Sequence, residues 1–207
     1  HMAVKASRKA LEQAGLDPSD LELIIVATIT PNTLTPATAC YVQHDLGAHK
    51  AVAFDISAAC SGFLYAMKLA ERMISGGTCK NALILGAEKL SAFVNWDDRS
   101  TCVLFGDGAG AAVLKEAEPG GGQILATDTG TDGSQTDLLN IPGGGSACPI
   151  TLENADQRLS TLAMVGTDVF KQAVTRMRDS ANSVIERSGL RPEDIKLLIP
   201  HQANLRI

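Results

Sequence analysis

The stretch that decides the fold is ALEQAGLDPSDLELIIVAT at residues 10–28, because it returns without a gap as VIERSGLRPEDIKLLIPHQ at residues 184–202. An offset of 174 residues separates the two copies, and self-similarity at a long, fixed offset indicates a duplicated structural unit. Among the identical pairs are Glu12/Glu186, Gly15/Gly189, Leu16/Leu190, Pro18/Pro192, Asp20/Asp194 and Leu23/Leu197.

Each copy has the pattern of a helix, a turn and a strand. An amphipathic helix ends at a glycine suited to the left-handed cap, a proline and acidic residues form a turn, and an apolar strand follows. Near-continuous apolar strands are typical of sheets that helices cover on both faces. The repeat therefore predicts two similar α/β halves in layers. Two ordinary helix-to-strand turns with similar chemistry are the alternative.

A glycine-rich stretch at residues 119–122 marks the predicted junction between the halves, since the strand-like segment QILATDTGTDG at 123–133 restarts the pattern. We expect an amino-terminal half over residues 1–119 and a carboxy-terminal half over residues 120–207. Far more residues precede the repeated unit in the second half than in the first. This comparison predicts that the first strands of the amino-terminal half and the end of the carboxy-terminal half are missing.

Composition narrows the class of protein. The chain has 207 residues, 45% of them hydrophobic, and a net charge of -5. It contains no basic run of the kind that binds nucleic acid or anionic membranes. No apolar stretch reaches the roughly 20 residues of a membrane helix, and no signal-peptide pattern opens the chain. Five cysteines without a C-x-x-C pair disfavour disulfides and a metal site. We predict a soluble, cytoplasmic protein.

Cys60 is the predicted nucleophile. Residues 51–75 have the pattern of a strand, a tight turn of small residues and an amphipathic helix, and Cys60 lies at the helix entrance. Free amides and the positive end of the helix dipole stabilise a thiolate there, which predicts a lowered thiol pKa. A lone cysteine is more often a small buried apolar residue, and this interpretation fits Cys40, Cys79, Cys102 and Cys148.

His201 is the predicted proton-handling partner of Cys60. It follows the apolar run IKLLIP at residues 195–200, and α/β sites are usually built at the carboxyl ends of buried strands.

The segment FGDGAGAAV at 105–113 lacks the G-x-G-x-x-G spacing of a dinucleotide loop and a following Lys-Ser or Lys-Thr. It predicts a tight turn into a strand of small residues.

Three segments carry a family resemblance: DISAACSGF at 55–63, FGDGAGAAV at 105–113 and PHQANLRI at 200–207. Together they resemble 3-oxoacyl-[acyl-carrier-protein] synthase III, and the likeness runs along nearly the whole chain. The resemblance implies a thiolase-like α/β fold with duplicated halves in a layered αβαβα sandwich. It also implies a homodimer that needs no cofactor and uses coenzyme A and acyl-carrier-protein thioesters as substrates.

The reaction that the resemblance implies opens type II fatty-acid synthesis. Cys60 takes an acyl group from acyl-coenzyme A, and a decarboxylative Claisen condensation with malonyl-acyl carrier protein then gives 3-oxoacyl-acyl carrier protein and CO2. His201 and a family asparagine would donate hydrogen bonds to the enolate. That asparagine belongs to a G-N-T-S-like segment that would lie beyond Ile207.

Further residues take roles from the resemblance alone. Arg99 matches a residue that contacts the coenzyme A adenine, and Gly166 and Asn204 match positions along the pantetheine path. Thr35 matches a position that reaches across the dimer to the partner's acyl pocket. Contacts to the acidic carrier protein are implied for Lys171, Gln202, Ala203, Asn204, Leu205 and Arg206.

Three alternatives stay open at the level of sequence. A related ketosynthase of polyketide type would share these motifs. An inactive fragment that retains only the core of the fold would fit the missing asparagine. A cysteine hydrolase would also use a thiol at a strand-to-helix turn.

Overall fold

The computed structural model of the chain describes residues 2–204. The chain divides into two compact units. The first consists of His1–Lys89 and Asp107–Ile124, and the second of Leu90–Gly106 and Leu125–Ile207. The division into duplicated halves at residue 119 stays a prediction.

The first unit holds a four-stranded sheet with helices on both faces. Its elements, in chain order, are α1 (Met2–Ala14), β1 (Leu23–Ala27), α2 (Thr38–Leu46), β2 (Val52–Ile56), α3 (Gly62–Ser75), β3 (Asn81–Lys89) and β4 (Asp107–Lys115). The order of the strands across the sheet is β2-β1-β3-β4. Strand β1 runs parallel to β2 and β3, whereas β4 is antiparallel to β3.

The central strand β1 reads LIIVA, and all five of its residues are buried. Alternate side chains of a strand point to opposite faces, so Ile24 and Val26 pack into one cluster and Leu23 and Ile25 into another. The first cluster includes residues of α1 and α2, and the second includes residues of α3. The predicted cover of helices on both faces is confirmed for this unit.

The second unit is dominated by α4 (Gly166–Ser188) and a short antiparallel pair, β5 (Leu139–Asn140) with β6 (Ala163–Met164). Short 3-10 turns connect these elements along the chain. They lie at Leu90–Ala92, Gly133–Gln135, Ala155–Gln157 and Pro192–Asp194.

The helix and turn of the repeated unit are confirmed in both copies. α1 and α4 each precede a glycine in the left-handed region, Gly15 at φ +62° and Gly189 at φ +72°. A 3-10 turn follows in each copy, at Pro18–Asp20 and at Pro192–Asp194. Gly at the C-terminal cap and Pro just beyond it explain why both helices stop where they do.

The predicted strands at residues 195–200 and 123–133 are wrong, because the structure has no strand in either segment. A strand needs a neighbour to pair its backbone groups. In the first copy β1 has β2 and β3 on its two sides, whereas no segment within residues 2–204 forms a ladder with 195–200. The apolar side chains of Leu197, Leu198 and Ile199 are between 73% and 78% exposed.

Candidate active site

A strained turn presents Cys60 between β2 and α3. Ala59 has φ +44°, a left-handed conformation that costs a non-glycine residue on the order of 1–2 kcal/mol. The amide of Ser61 donates to the carbonyl of Ala58 at 3.1 Å, and the amide of Gly62 donates to that of Ala59. We call residues 57–61 the elbow. The predicted sequence of strand, tight turn and helix is confirmed, and Cys60 is exposed.

The elbow needs a residue without a side chain at the start of α3. A Cβ on Gly62 would lie 2.9 Å from the Cβ of Ala27, which is closer than carbon atoms pack. Gly62 therefore lets the first turn of α3 approach the carboxyl end of β1. The sequence predicted a tight turn of small residues here, and the structure adds this packing reason for Gly62.

The pKa of Cys60 is raised, so the prediction of a lowered pKa is wrong for the described residues. Desolvation of the thiolate by the surrounding protein atoms raises the pKa most, the cysteine's own amide opposes this by lowering it, and the negative charge of Glu88 raises it further. Although Cys60 is accessible at the surface, these neighbours favour the protonated thiol. An acceptor for its proton is therefore required before it attacks a substrate.

Glu88 is the site residue that sequence reasoning missed. It lies near the carboxyl end of β3, and its carboxylate accepts hydrogen bonds from the amide of Ile29 at 2.8 Å and the hydroxyl of Thr30 at 2.6 Å. The one available signal was an acidic residue that ends the apolar run ALILGA at 82–87. Glu88 thus lies near the carboxyl end of a buried strand, which is where α/β sites are usually built.

Thr35 lies in an exposed loop at residues 31–37, which leads into α2. The hydroxyl of Thr33 donates to the carbonyl of Pro36 at 3.1 Å. The carboxylate of Asp55 on β2 accepts the amides of Thr38 and Ala39 at 2.6 and 2.8 Å. Asp55 thus caps α2 from a neighbouring strand and fixes the end of the Thr35 loop.

In the second unit, Arg99 is exposed on a loop that Asp98 organises. The carboxylate of Asp98 accepts the amide of Ser100 at 3.0 Å and the hydroxyls of Ser100 and Thr101 at 2.6 and 2.7 Å. These hydrogen bonds hold the pKa of Asp98 below its usual value. Thr101 is buried, so the residues that flank Arg99 are anchored while its own side chain is accessible.

The remaining predicted residues lie on or after α4. Gly166 is the first residue of α4, and Lys171 lies one turn further on, where its ammonium pairs with Asp168 at 3.2 Å. His201 is exposed in a segment without regular secondary structure, as are Gln202, Ala203 and Asn204. Leu205 and Arg206 lie outside the described residues. His201 belongs to the second unit and Cys60 to the first, and their pairing stays a prediction.

Residues 2–204 contain neither a candidate metal site nor a membrane-spanning helix. No group of three or more His, Cys, Asp or Glu side chains there is arranged to hold a metal ion. No helix there is long and apolar enough to cross a membrane.

Comparisons with known proteins agree on one family. The family model for 3-oxoacyl-[acyl-carrier-protein (ACP)] synthase III matches residues 54–133. The beta-ketoacyl-[acyl-carrier-protein] synthase III of Caldanaerobacter subterraneus subsp. tengcongensis is 52% identical over 206 residues. The chain is therefore similar to the 3-oxoacyl-[acyl-carrier-protein] synthase III family. The relative of the same name from Clostridioides difficile is 50% identical over 206 residues.

Each of these two alignments covers 100% of this chain and 62% of the relative. The chain therefore spans less than two thirds of the length of the family members that it matches.

Solved structures of the synthase III family confirm the predicted fold class. The 3-oxoacyl-[acyl-carrier-protein] synthase III of Aquifex aeolicus is 46% identical and superposes with a TM-score of 0.88, covering 99% of this chain and 61% of that one. The priming beta-ketosynthase of the R1128 polyketide pathway is 34% identical with a TM-score of 0.83, covering 99% and 60%. The Aquifex aeolicus synthase III is thus more similar in sequence to this chain than the polyketide ketosynthase is.

Proposed function

We propose that this chain comes from the initiating condensing enzyme of type II fatty-acid synthesis, an acyltransferase of the synthase III type. The observation that carries the proposal is the strained elbow, which presents Cys60 just before the amino end of α3. A thiol in that place is exposed to substrate and has backbone amides beside it. Similarity to the synthase III family supplies the reaction class.

The first step is transfer of an acyl group from acyl-coenzyme A to Cys60. The sulfur attacks the thioester carbonyl, a bond forms between Sγ and the acyl carbon, and the coenzyme A thiolate leaves. The amide of Cys60 is placed to stabilise the negative oxygen of the tetrahedral intermediate. Because desolvation and the charge of Glu88 raise the pKa of the Cys60 thiol, its attack needs a proton acceptor. We assign His201 as that acceptor, and the proton then passes to the departing thiolate.

The second step is condensation with malonyl-acyl carrier protein. Loss of CO2 leaves an enolate, and its carbon attacks the acyl group on Cys60. A carbon-carbon bond forms, the acyl-sulfur bond breaks, and 3-oxoacyl-acyl carrier protein departs. His201, together with the family asparagine that would lie beyond Ile207, donates hydrogen bonds to the enolate oxygen. Because decarboxylation generates the carbanion, the proposed reaction needs no cofactor beyond the two thioesters.

Substrate contacts follow from the same proposal. Arg99 would contact the adenine of coenzyme A, while Gly166 and Asn204 would line the path of the pantetheine. The carrier protein would meet Lys171 and the segment of Gln202, Ala203, Asn204, Leu205 and Arg206. Exposure of Arg99 and Lys171 supports these roles, since a contact to a diffusing substrate requires an accessible side chain.

We propose a homodimer that pairs along β2. Within the part of the chain that the structure describes, β2 forms a ladder with β1 on one side, so the backbone groups of its other edge are available. Val52 on this strand is 62% exposed. The Thr35 loop precedes α2 next to the same strand and would enter the partner's acyl pocket.

Five free cysteines favour a reducing cytoplasm.

Labelling with radioactive acetyl-coenzyme A tests the proposal. The label should attach to Cys60 in the present chain and vanish in the Cys60→Ser variant. Cys40→Ala is the matched control, because Cys40 is exposed on α2 and takes no part in the proposed site. If this chain is not labelled while a full-length relative is labelled under the same conditions, the result favours the alternative of an inactive fragment.

Release of CO2 from malonyl-acyl carrier protein separates condensation from hydrolysis. We expect a longer protein that contains this chain to release CO2 in a manner that depends on His201. Hydrolysis of the thioester without CO2 would overturn the condensing assignment in favour of a cysteine hydrolase. The polyketide alternative is the less favoured one, because the polyketide relative is 34% identical and the synthase III relative 52%.

A further inference from the structure

The turn at residues 28–30, which we call the β1 turn, is tied to the end of β3 by one carboxylate. The Oε1 atom of Glu88 accepts the amide of Ile29 at 2.8 Å, and its Oε2 atom accepts the hydroxyl of Thr30 at 2.6 Å. The hydroxyl of Thr28 lies 3.4 Å from the same Oε2 atom. Thr30 Oγ1 also accepts the amide of Lys89 at 2.8 Å. The two strand ends are therefore joined by side chains beyond the last ladder bonds.

The β1 turn is also connected to both ends of the elbow. The amide of Thr28 donates to the carbonyl of Ile56, the last residue of β2, at 3.1 Å. Ala27, directly before the turn, packs against the start of α3 so closely that Gly62 has no space for a Cβ. The residues before and after Cys60 thus rest on the segment that Glu88 holds.

The charge of Glu88 acts against the reactivity of the cysteine. A negative group near a thiol disfavours the thiolate, and the charge of Glu88 is among the causes that raise the pKa of Cys60. A residue that stabilised the thiolate through its own charge would be positive. The hydrogen bonds of Glu88 therefore explain better than its charge why a carboxylate lies at this position. Its two oxygens accept from three donors of one turn, the hydroxyls of Thr28 and Thr30 and the amide of Ile29.

We propose that Glu88 is a positioning residue for Cys60: it locks the β1 turn, and the locked turn supports the elbow. The inference rests on the proposed function, in which Cys60 is the reacting group. It predicts that the elbow loosens when the Glu88 hydrogen bonds are removed, whether or not the negative charge is retained.

Two substitutions separate the hydrogen bonds from the charge. Thr30→Val removes the hydroxyl that bridges Glu88 and Lys89 and keeps the carboxylate. Glu88→Gln removes the charge, keeps an oxygen that accepts the Ile29 amide, and offers an NH2 group that can donate to the Thr30 hydroxyl oxygen in place of the bond which that hydroxyl donated. Glu71→Gln is the matched control, because Glu71 lies on α3 away from the elbow and contacts Arg72 and Ser75. The other charged groups of this end of the sheet, Asp55, Lys89 and Asp107, are unchanged in all three variants.

Two measurements on the full chain follow the elbow and the Cys60 thiol directly, and neither requires enzymatic activity. Amide hydrogen exchange at Ser61 and Gly62 reports on the elbow, whose turn bonds involve these two amides. The pH dependence of Cys60 alkylation by iodoacetamide, followed by peptide mass spectrometry, reports on the thiol. Far-UV circular dichroism shows that each variant is folded.

Thr30→Val should speed elbow exchange by about tenfold or more, since side-chain hydrogen bonds of the β1 turn are lost. Glu88→Gln should leave elbow exchange within about threefold of the parent and shift the alkylation midpoint of Cys60 to lower pH. Glu71→Gln should match the parent in both measurements. A further variant, Glu88→Ala, removes every hydrogen bond that the Glu88 carboxylate accepts. Elbow exchange at the parental rate in both folded Thr30→Val and folded Glu88→Ala would overturn the proposal.

Acetyl-coenzyme A labelling of the same variants distinguishes this proposal from the function. A parent chain that is not labelled, but whose elbow exchange responds to Thr30→Val, contradicts the proposed function and supports the positioning role. A labelled parent whose elbow does not respond contradicts the positioning role and supports the function.

Discussion

A Cβ atom on Gly62 would lie 2.9 Å from the Cβ of Ala27 and 3.8 Å from its Cα, so the first residue of α3 and the last residue of β1 pack without room for a methyl group. This contact places the start of α3, and hence the elbow before it, over the carboxyl end of the central strand. Two small residues that are 35 positions apart in the sequence thus set the place of Cys60.

Gly62→Ala should therefore destabilise the chain. Overpacking at a buried contact costs about 1–3 kcal/mol of unfolding free energy, which urea denaturation measures. Ala27→Gly in the same chain should restore part of the loss, because it removes the methyl group that clashes. Gly110→Ala is the control, since a Cβ there meets nothing within 4 Å. Equal stability of Gly62→Ala and the parent would show that the helix shifts freely.

Alkylation of Cys60 should require a higher pH than alkylation of a free cysteine derivative such as N-acetylcysteine. Burial raises the pKa of the thiol, and the thiolate is the reactive form. With a raised pKa, less thiolate is present at any pH below the midpoint, so the rate at neutral pH is lower. The pH-rate profile with iodoacetamide checks this, and a midpoint below that of the free thiol would contradict it.

Asp55→Ala should destabilise α2. Ala37 at the amino end of α2 provides no capping side chain, and Asp55 satisfies the amides of Thr38 and Ala39 instead. Loss of a helix cap costs about 0.5–2 kcal/mol of unfolding free energy. Asp55→Asn retains one acceptor oxygen and should lose less. Asp45→Ala, at the exposed carboxyl end of the same helix, should be close to neutral in the same urea titration.

The carboxyl of Asp98 should titrate below the usual pH for aspartate, and Ser100→Ala should move its midpoint upward. Hydrogen bonds from Ser100 and Thr101 favour the ionised form and lower the pKa. Since the pKa in the folded chain is depressed, the associated stability is present above the unfolded-state pKa and is lost as pH falls through the folded-state pKa. Carboxyl carbon chemical shifts measured by NMR check both statements. An unchanged midpoint in Ser100→Ala would contradict the assigned cause.

Local features of this protein followed from the sequence because neighbours in the chain produce them. Gly15 and Gly189 end their helices where the pattern places them, and the elbow around Cys60 follows from a strand, small residues and a helix in succession. Helix caps and tight turns depend on backbone conformations that only certain residues adopt cheaply. The sequence therefore predicted these helix ends and this turn correctly.

The strand at residues 195–200 failed as a prediction for a different reason. Its apolar run resembles that of β1 residue by residue, with Leu197 in the place of Leu23. A strand, however, is defined by the backbone that pairs with it, and a sequence pattern does not contain that partner. Within residues 2–204, β1 pairs with the strands β2 and β3, whereas residues 195–200 pair with no strand.

The sequence by itself determined the repeated helix-turn unit and the strand, tight turn and helix around Cys60, because each depends on residue types at short spacing. Only the tertiary structure showed that the contact with Ala27 leaves no room for a side chain at position 62. It also showed that Glu88 accepts hydrogen bonds from the β1 turn and that the pKa of Cys60 is raised and not lowered. Each of these depends on atoms brought together from distant positions, and desolvation and charge act through space rather than along the chain.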